Sequence, residues 1–384
     1  MKVIHLGNIP LCNKFPDKDK IKRHPGRWVL NHALAQKSIG LDVEIVNLVH
    51  GAKKDYVLEV EGIKVHYLKT AHKWRHMTFY AIDQWRVARY VKKLKPDFVH
   101  AHGTEDAYGW AAQRTGLPYC ITAQGLFFQI IPTLKRKPTI HEKFLRWGEN
   151  IVLKRAKYVI AKSEYGLEAL REKYKHLDVK LIYNTYEKAL ETNVYEKTQN
   201  HFAFVGTITE RKGIGFISEA FSEIISQYPN VVLHIMGNAR EGFASSYENE
   251  QISKLRKILG DNLVLHGVVK STELFKILDG CKCILVPSLE EMSGNAATEG
   301  IMRGCHVVTF ETTGVAKICK IIGNSTIVPY LDSNAFTKTL LEKCATVVSV
   351  EEIENAINNM KELMSPLSVA HKHLDLYNEI LSRK

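Results

Sequence analysis

Two acids, Glu291 and Glu299, bracket seven small, polar or flexible residues in the stretch EEMSGNAATEG. The run follows CILVPS, which is apolar and strand-like, and leads into a helical pattern. Ser293 and Asn295 are good N-caps and put the helix start near 293–295. From there Ala296, Ala297, Gly300, Ile301 and Gly304 turn towards a sheet, while Asn295 and Glu299 share another face four residues apart. Side chains lean towards a helix N-terminus, which aims Glu299 back at the loop holding Glu291. Free N–H groups and the positive dipole end suit a phosphate at that terminus. Carboxylates repel one, so the acids suit neutral hydroxyls, as a sugar or ribose presents. The plainer alternative has Glu299 complementing the helix dipole and Glu291 solvated in its loop.

A second stretch, HFAFVGTITERKGIGFISEAF, reads as a strand ending at Gly206 and a polar loop in which Arg211–Lys212–Gly213 opens a helix. Cations there can neutralise a leaving diphosphate, or merely decorate a solvated turn. A P-loop is excluded, because no Gly precedes Lys212 and no Ser or Thr follows it. His100 and His102 alternate at a strand end, with Glu105 and Asp106 just beyond. Those types suit a metal, but the spacing matches no zinc pattern, and ordinary hydrogen-bonded strand-end histidines explain them equally well. Asp17-Lys18-Asp19 fits the D-x-D pattern yet lies in the Lys- and Pro-rich KFPDKDKIKRHPG. No metal is expected there.

Short apolar runs alternate with helical patterns along the whole chain. KVIHLG, DVEIVNLV, IKVHYLK, DFVHAHG, PYCITAQG, YVIAKS and VKLIYN read as strands of a first series. HFAFVGT, VVLHIMG, NLVLHGV, CKCILVPS, HVVTFE and STIVPY read as a second. Helices are expected at 28–37, 215–228 and 366–382. The βαβα order implies α/β domains, each with a doubly wound, Rossmann-like parallel sheet. The polar EKALETNVYEKTQN (187–200) is the expected linker. It divides 1–190, joined by a C-terminal helix over 366–384, from 191–365. Ligands of such sheets bind beyond the carboxyl ends of the strands.

The 384 residues exceed the usual size of one compact domain. Net charge is +12, unevenly spread: residues 1–200 carry 35 Lys+Arg against 20 Asp+Glu, whereas 201–384 is slightly acidic. The first half therefore suits an anionic partner. Seven cysteines without regular spacing fit buried thiols in a reducing compartment. The N-terminal MKVIHLGNIPL lacks the unbroken apolar core of a signal peptide, and no apolar run approaches the ~18–20 residues that span a bilayer. A cytoplasmic protein is expected, with any membrane contact peripheral.

The double-Glu and Lys-Gly segments together resemble the group 1 (family 4) glycosyltransferases of the GT-B fold. Pro287, Ser288, Glu291, Glu299, Gly304 and the strand beginning at Val307 match that family's register. PDFVHAHG (96–103), AKSEYG (161–166), KLIYN (180–184) and TTGVAKI (312–318) extend the resemblance over nearly the full chain. It implies two Rossmann-like domains facing a central cleft, with a nucleotide-sugar donor on the C-terminal one and an acceptor on the N-terminal one. It implies that Glu291 holds hydroxyls of the donor sugar, Glu299 the ribose hydroxyls and Lys212 the diphosphate. His102 would contact the acceptor, and Gly26 would lie in a glycine-containing loop near the phosphates. Family members are expected to retain anomeric configuration without a metal or other cofactor.

This chain departs from the family pattern in places. Gly206–Thr207 stands where Gly-Arg is usual, and Arg211 is a candidate source of the missing charge. Gln124–Gly125 replaces His-Gly, Met292–Ser293–Gly294 replaces Gly-Phe-Gly, and Asn184–Thr185 replaces Asn-Gly. These residues surround the expected donor sugar.

The expected function is transfer of a sugar from a nucleotide-sugar donor to a glycan or lipid-linked acceptor, as in cell-surface polysaccharide or glycan assembly. In LKRKPTIHEKFLRWGENIVLKRAK (134–157), Phe144, Leu145, Trp147, Ile151 and Val152 interleave with cations. That face suits anionic membrane at the inner side of the cell membrane, unless its apolar residues are simply core. Two alternatives remain at this level. One is a basic nucleic-acid-binding protein, although no recognised module is present and no nucleic acid is expected. The other is a GT-B enzyme with a different nucleotide-sugar reaction, such as epimerisation.

Overall fold

The computed structural model describes residues 1–16, 26–70, 75–78, 80–104, 107–133, 137–187, 197–198, 200–238, 246–311 and 313–383. The Asp17–Asp19 pattern, Glu105, Asp106, residues 134–136 of the basic stretch, Thr312 and most of the expected linker lie outside them. The chain divides into two compact units, Met1–Glu187 with Met364–Lys384, and Lys188–Leu363.

The first unit is built on β1 (Lys2–Leu6), β2 (Asp42–Val49), β3 (Tyr56–Val60), β4 (Ile63–Lys69), β5 (Phe98–His102), β6 (Tyr119–Thr122), β7 (Tyr158–Ala161) and β8 (Asp178–Leu181). Their order is β3-β4-β2-β1-β5-β6-β7-β8. All five residues of β5, FVHAH, are buried, as a parallel strand covered on both faces requires.

The expectation of a purely parallel sheet needs one correction. β3 pairs antiparallel with β4 and was not among the strands read from the sequence. Its residues alternate between half-buried and exposed, although YVLEV is apolar at four of its five positions. Glu61 and Gly62 join the two strands with φ of 51° and 78°, the positive values that a two-residue hairpin turn demands.

The last helix, Pro366–Ser382, completes this unit. Ser365 caps it, Pro occupies its first turn, and Val369, Leu376, Tyr377 and Ile380 enter the core with Val3, Leu30 and Phe98. Tyr377 stacks on Phe98 with ring centroids 4.3 Å apart. Lys180 and Arg383 pair with Glu379 and Asp178 at its outer side.

The second unit holds β9 (His201–Val205), β10 (Val232–Met236), β11 (Leu263–Gly267), β12 (Cys283–Val286), β13 (His306–Phe310) and β14 (Ser325–Val328). They are parallel throughout, in the order β11-β10-β9-β12-β13-β14. Helix Ile214–Gln227 covers one face with Ile217, Phe221 and Ile224, a stripe at helical spacing.

Among its parallel strands each sheet reverses order once, at β1/β5 in the first unit and at β9/β12 in the second. The loops leaving such paired strands diverge to opposite faces and open a crevice at their carboxyl ends. His102 ends β5, Lys212 follows β9 and Glu291 follows β12. Six of the seven cysteines are buried free thiols and Cys12 is half-buried. No helix among the described residues is long and apolar enough to cross a membrane.

Candidate active site

In the second unit the carboxyl ends of β9, β10 and β11 each end on a glycine with positive φ: Gly206 (144°), Gly237 (141°) and Gly267 (66°). Gly206 N–H donates to Met236 O at 2.9 Å, and Gly237 N–H to Gly267 O at 2.7 Å. A Cβ on Gly237 would lie 1.9 Å from Gly206 O. The backbone is thus laid close at the crevice, with no side chains between it and an approaching group.

Beyond β9 a single 3-10 turn, Glu210–Lys212, is followed by Gly213 in the left-handed region (φ 78°). A Cβ on Gly213 would sit 1.9 Å from Pro287 O, so only glycine lets the β9 loop press on the β12 loop. Leu289 N–H donates to Arg211 O at 2.8 Å, which ties the two loops together. The far side of the β12 loop is fixed by Gly314 N–H donating to Glu291 O at 2.7 Å. Tyr330 OH donates to Leu289 O at 3.1 Å.

This clamp brings together Lys212 and Glu291, which are 79 residues apart in sequence. The ammonium donates directly to Glu291 Oε2. Arg211 Nη1 donates to Glu290 O at 2.7 Å and stands 3.6 Å from Glu290 Oε2 and 3.9 Å from Glu291 Oε2. Burial pushes the Glu291 carboxyl up, but Lys212, Arg211 and a backbone bond from Gly294 outweigh it, so the group lies below its ordinary range. Glu290 is buried more deeply, and burial dominates: its carboxyl is raised to about 7, with Glu291 adding to the rise and Arg211 and Lys212 opposing it. Glu290 Oε1 and the buried Ser288 Oγ have no hydrogen-bond partner among the described residues.

The following helix is Asn295–Met302, and its cap corrects the sequence reading. Gly294, not Ser293 or Asn295, is the N-cap, in the left-handed region at φ 57° and with no side-chain cap bond. A Cβ there would lie 2.2 Å from Val315 Cγ2. Ala297, Gly300 and Ile301 are buried as expected, whereas Ala296 is only half-buried. Gly304 lies past the helix end in a turn at φ 74°. Gly300 passes so near β12 that an added Cβ would be 2.4 Å from Ile284 Cγ2. Glu299 is half-buried on the face it shares with the exposed Asn295. Met292 is buried, Ser293 half-buried and Thr207 exposed.

In the first unit His102 is buried at the end of β5 within a hydrogen-bonded network whose direction can be traced. Gln36 Nε2 donates to Tyr377 OH at 2.9 Å, leaving Gln36 Oε1 to accept from His5 Nε2 at 2.9 Å. Burial lowers His5 to about 4, so it is neutral and its Nδ1 is an acceptor. That nitrogen takes the proton-bearing Nε2 of His102 at 2.8 Å. His102 Nδ1 is left with a lone pair facing Gln124 Nε2 at 3.4 Å. Tyr377 OH in turn donates to His100 Nδ1, and His100 Nε2 to Thr122 Oγ1, both at 2.6 Å.

The nitrogens of His5, His100 and His102 lie within 4.8 Å of one another. They are the one described group with metal-ligand potential, and would ligate an ion only by surrendering these bonds. Burial also holds His100 and His102 well below the usual imidazole range. Lys162, fully buried after β7, is lowered to about 7 by burial and donates to Asn184 Oδ1. Gly26 precedes helix Trp28–Ser38, where a Cβ would collide with the Trp28 ring at 1.6 Å.

The structure therefore gathers Gly206, Arg211, Lys212, Glu291 and Gly294 in one unit. His102 and Gln124 are joined in the other. Sequence reasoning missed Glu290, whose only signal was its place in an acid doublet. It also missed His5, Gln36, Tyr377 and Lys162, which carry no local pattern.

Two family models match this chain: a glycosyl transferase 4-like domain over residues 25–184 and glycosyl transferases group 1 over 199–345. The chain belongs to the group 1 glycosyltransferases. Among curated relatives, an uncharacterised glycosyltransferase of Methanocaldococcus jannaschii is 24% identical over 59% of this chain and 58% of its own length. The processive diacylglycerol alpha-glucosyltransferase of Acholeplasma laidlawii is 25% identical over 58% and 61%. The match thus spans about three fifths of these relatives. Sucrose-phosphate synthase of Thermosynechococcus elongatus superposes with a TM-score of 0.79 at 16% identity over 100% of both chains. WaaG, a glycosyltransferase of lipopolysaccharide biosynthesis, gives 0.72 at 14% over 98% of this chain and 99% of its own. Anabaena HepE with UDP and glucose gives 0.72 at 15% over 98% and 99%. These likenesses show the GT-B fold, two Rossmann-like α/β domains.

Proposed function

We propose that this group 1 glycosyltransferase moves a sugar from a nucleotide-sugar donor to a glycan or lipid-linked acceptor, with retention of configuration and without a metal. The observation that carries the reading is the Lys212–Glu291 pair, clamped at the carboxyl ends of β9 and β12 with Arg211 beside it. A diphosphate draws the ammonium of Lys212, releasing Glu291 to accept from sugar hydroxyls. Arg211 and Lys212 then oppose the charge that grows on the leaving diphosphate, the term that matters most for glycosyl transfer of this kind. In the retaining scheme no side-chain nucleophile is needed; a donor phosphate oxygen takes the acceptor proton. Glu299 is assigned to the ribose hydroxyls. His102, with its Nδ1 lone pair, is assigned to an acceptor hydroxyl.

The neighbour bound to UDP and glucose makes UDP-glucose the first donor to try, and the diacylglycerol glucosyltransferase relative makes a lipid acceptor the first partner. The reading places the protein in the cytoplasm, at the inner face of the membrane, in assembly of a cell-surface glycan. The test is transfer from UDP-glucose and related donors to diacylglycerol and oligosaccharide acceptors, with and without EDTA. The expected result is an α-linked product from an α-linked donor, insensitive to the chelator. An inverted product, EDTA-abolished turnover restored by manganese, or donor conversion without any acceptor overturns it.

A further inference from the structure

The basic stretch read from the sequence folds mostly into helix Ile140–Arg155, started by a complete capping box between Thr139 and Glu142. Val152 and Leu153 are buried, but Ile140 and Trp147 stand 77% and 47% exposed. They lie seven residues apart on the outer face, with Lys143 and Arg146 between them. Beside this face is a cavity of about 580 Å³ lined by Ile131, Pro138, Lys143, Arg146, Trp147, Asn150 and Lys173. Lys173 comes from a different helix, Glu164–Lys173, so the three cations converge from two elements.

None of the three is paired with an acid among the described residues. The one buried carboxylate nearby, Glu149, accepts from Phe127 N–H at 2.8 Å, Phe128 N–H at 3.0 Å and Thr104 Oγ1 at 3.4 Å, and its charge also acts on Lys173. Lys173 lies 3.8 Å from the Phe128 ring centroid, which holds the ammonium in place. Burial lowers Lys173; Glu149 opposes this, and the smaller effect of the like charge of Arg146 adds to it. Three cations around one concavity, against a single buried carboxylate, leave an excess of positive charge that favours an anion there. Exposed Trp and Ile on the same face favour an interface where that anion adjoins hydrocarbon.

We propose that this cavity is a headgroup site for anionic phospholipid, through which the first unit docks on a membrane surface. Lys143, Arg146 and Lys173 hold the lipid phosphate, while Trp147 and Ile140 enter the headgroup–acyl boundary. The proposal deepens the membrane reading given above, and it fails separately from the glycosyl-transfer reading because its readout is binding, not turnover.

The test is co-sedimentation of the full chain with phosphatidylcholine vesicles, with and without phosphatidylglycerol, at low salt. The triple variant Lys143→Ala, Arg146→Ala, Lys173→Ala is compared with a charge-matched control, Arg89→Ala, Lys92→Ala, Lys93→Ala, on another helix of the same unit. Wild type should bind only the anionic vesicles. The cavity variant should lose roughly a hundredfold in partitioning, the share expected of three juxtamembrane cations, and the control should lose far less. Transfer to a soluble acceptor should be unchanged in both. Equal losses in the two variants would mean diffuse charge attraction and overturn the site. So would stabilisation of the wild type by inorganic phosphate through these residues with no preference for anionic vesicles, which would make it a site for a soluble phosphate.

Discussion

Lys212 and Glu291 touch, and each is the nearest opposite charge to the other. Removing Glu291 leaves Lys212 without its acid, removing Lys212 leaves Glu291 only the longer contact to Arg211, and either change takes away one donor or acceptor for the substrate. Lys212→Ala and Glu291→Ala should each lower kcat/KM by about 100- to 1000-fold with the far-ultraviolet dichroism unchanged. The double variant should be much less than multiplicative, because the two act as a unit. Glu290 makes a different prediction. Its folded pKa of about 7 exceeds that of a free carboxyl, so between pH 4.5 and 7 the folded protein holds a proton that the unfolded chain has lost. Stability from this group is fully present below that window and falls as pH rises through it, by up to about 3 kcal/mol. Glu290→Gln should flatten the slope in urea unfolding between pH 5 and 8. It should also abolish the rise in donor KM expected above pH 7, where an ionised Glu290 makes the phosphate side of the site less positive. Parallel slopes in the two proteins would refute the assignment.

Elements position these residues through glycines. Gly213→Ala must accommodate both a left-handed alanine and a Cβ 1.9 Å from Pro287 O. Gly260→Ala is equally left-handed (φ 52°) but meets nothing within 4 Å. The second should cost only the ~1–2 kcal/mol of the backbone conformation and leave donor affinity intact. The first should cost more and weaken donor binding at least tenfold, because it moves the β9 loop off the β12 loop. Thermal unfolding and nucleotide titration of both variants check this. Both series of strands were legible at this scale because buried parallel strands are near-continuous apolar runs. β3 was not, although YVLEV is also largely apolar; its alternating exposure at the sheet edge is a property of the fold that the run itself does not display. The cap of the Asn295–Met302 helix was misread for a related reason: Ser293 and Asn295 have the right chemistry, but the close approach of Val315 selects glycine between them. The candidate donor residues stood out because a cation-glycine pair and an acid pair are each local in sequence. The network behind His102 was invisible because its partner His5 is 97 residues away, and Gln36 and Tyr377, which continue that network, are 341 residues apart and meet only once the chain has folded.

At the scale of the whole molecule, the first unit is built around neutral histidines. His5 is lowered to about 4 and His373 to about 3, and burial lowers His32, His100 and His102 as well. Below pH 6.5 the unfolded chain therefore binds protons that the folded one refuses. Stability from these groups is present above pH 6.5 and is lost as pH falls through the folded values. Acid unfolding should begin well above the carboxylate range. His373, whose Nδ1 has no side-chain hydrogen-bond partner among the described residues, offers a direct check. His373→Leu should gain about 2 kcal/mol relative to wild type at pH 5 compared with its effect at pH 7.5, measured by urea unfolding at the two values. Tyr377→Phe, which strands both Gln36 and His100, should cost about 1–3 kcal/mol at either pH.

The return of residues 364–384 to the first unit also bears on synthesis. Domains generally mature in the order in which the ribosome delivers them, but here that order is inverted. The core around Val3 and Phe98 stays open until Ile380 has left the exit tunnel, by which time the whole of 188–363 is already available to fold. The nascent chain thus carries an unfinished amino-terminal half through most of translation. A released chain truncated after residue 365 should therefore show a protease-resistant second unit and a protease-sensitive first one.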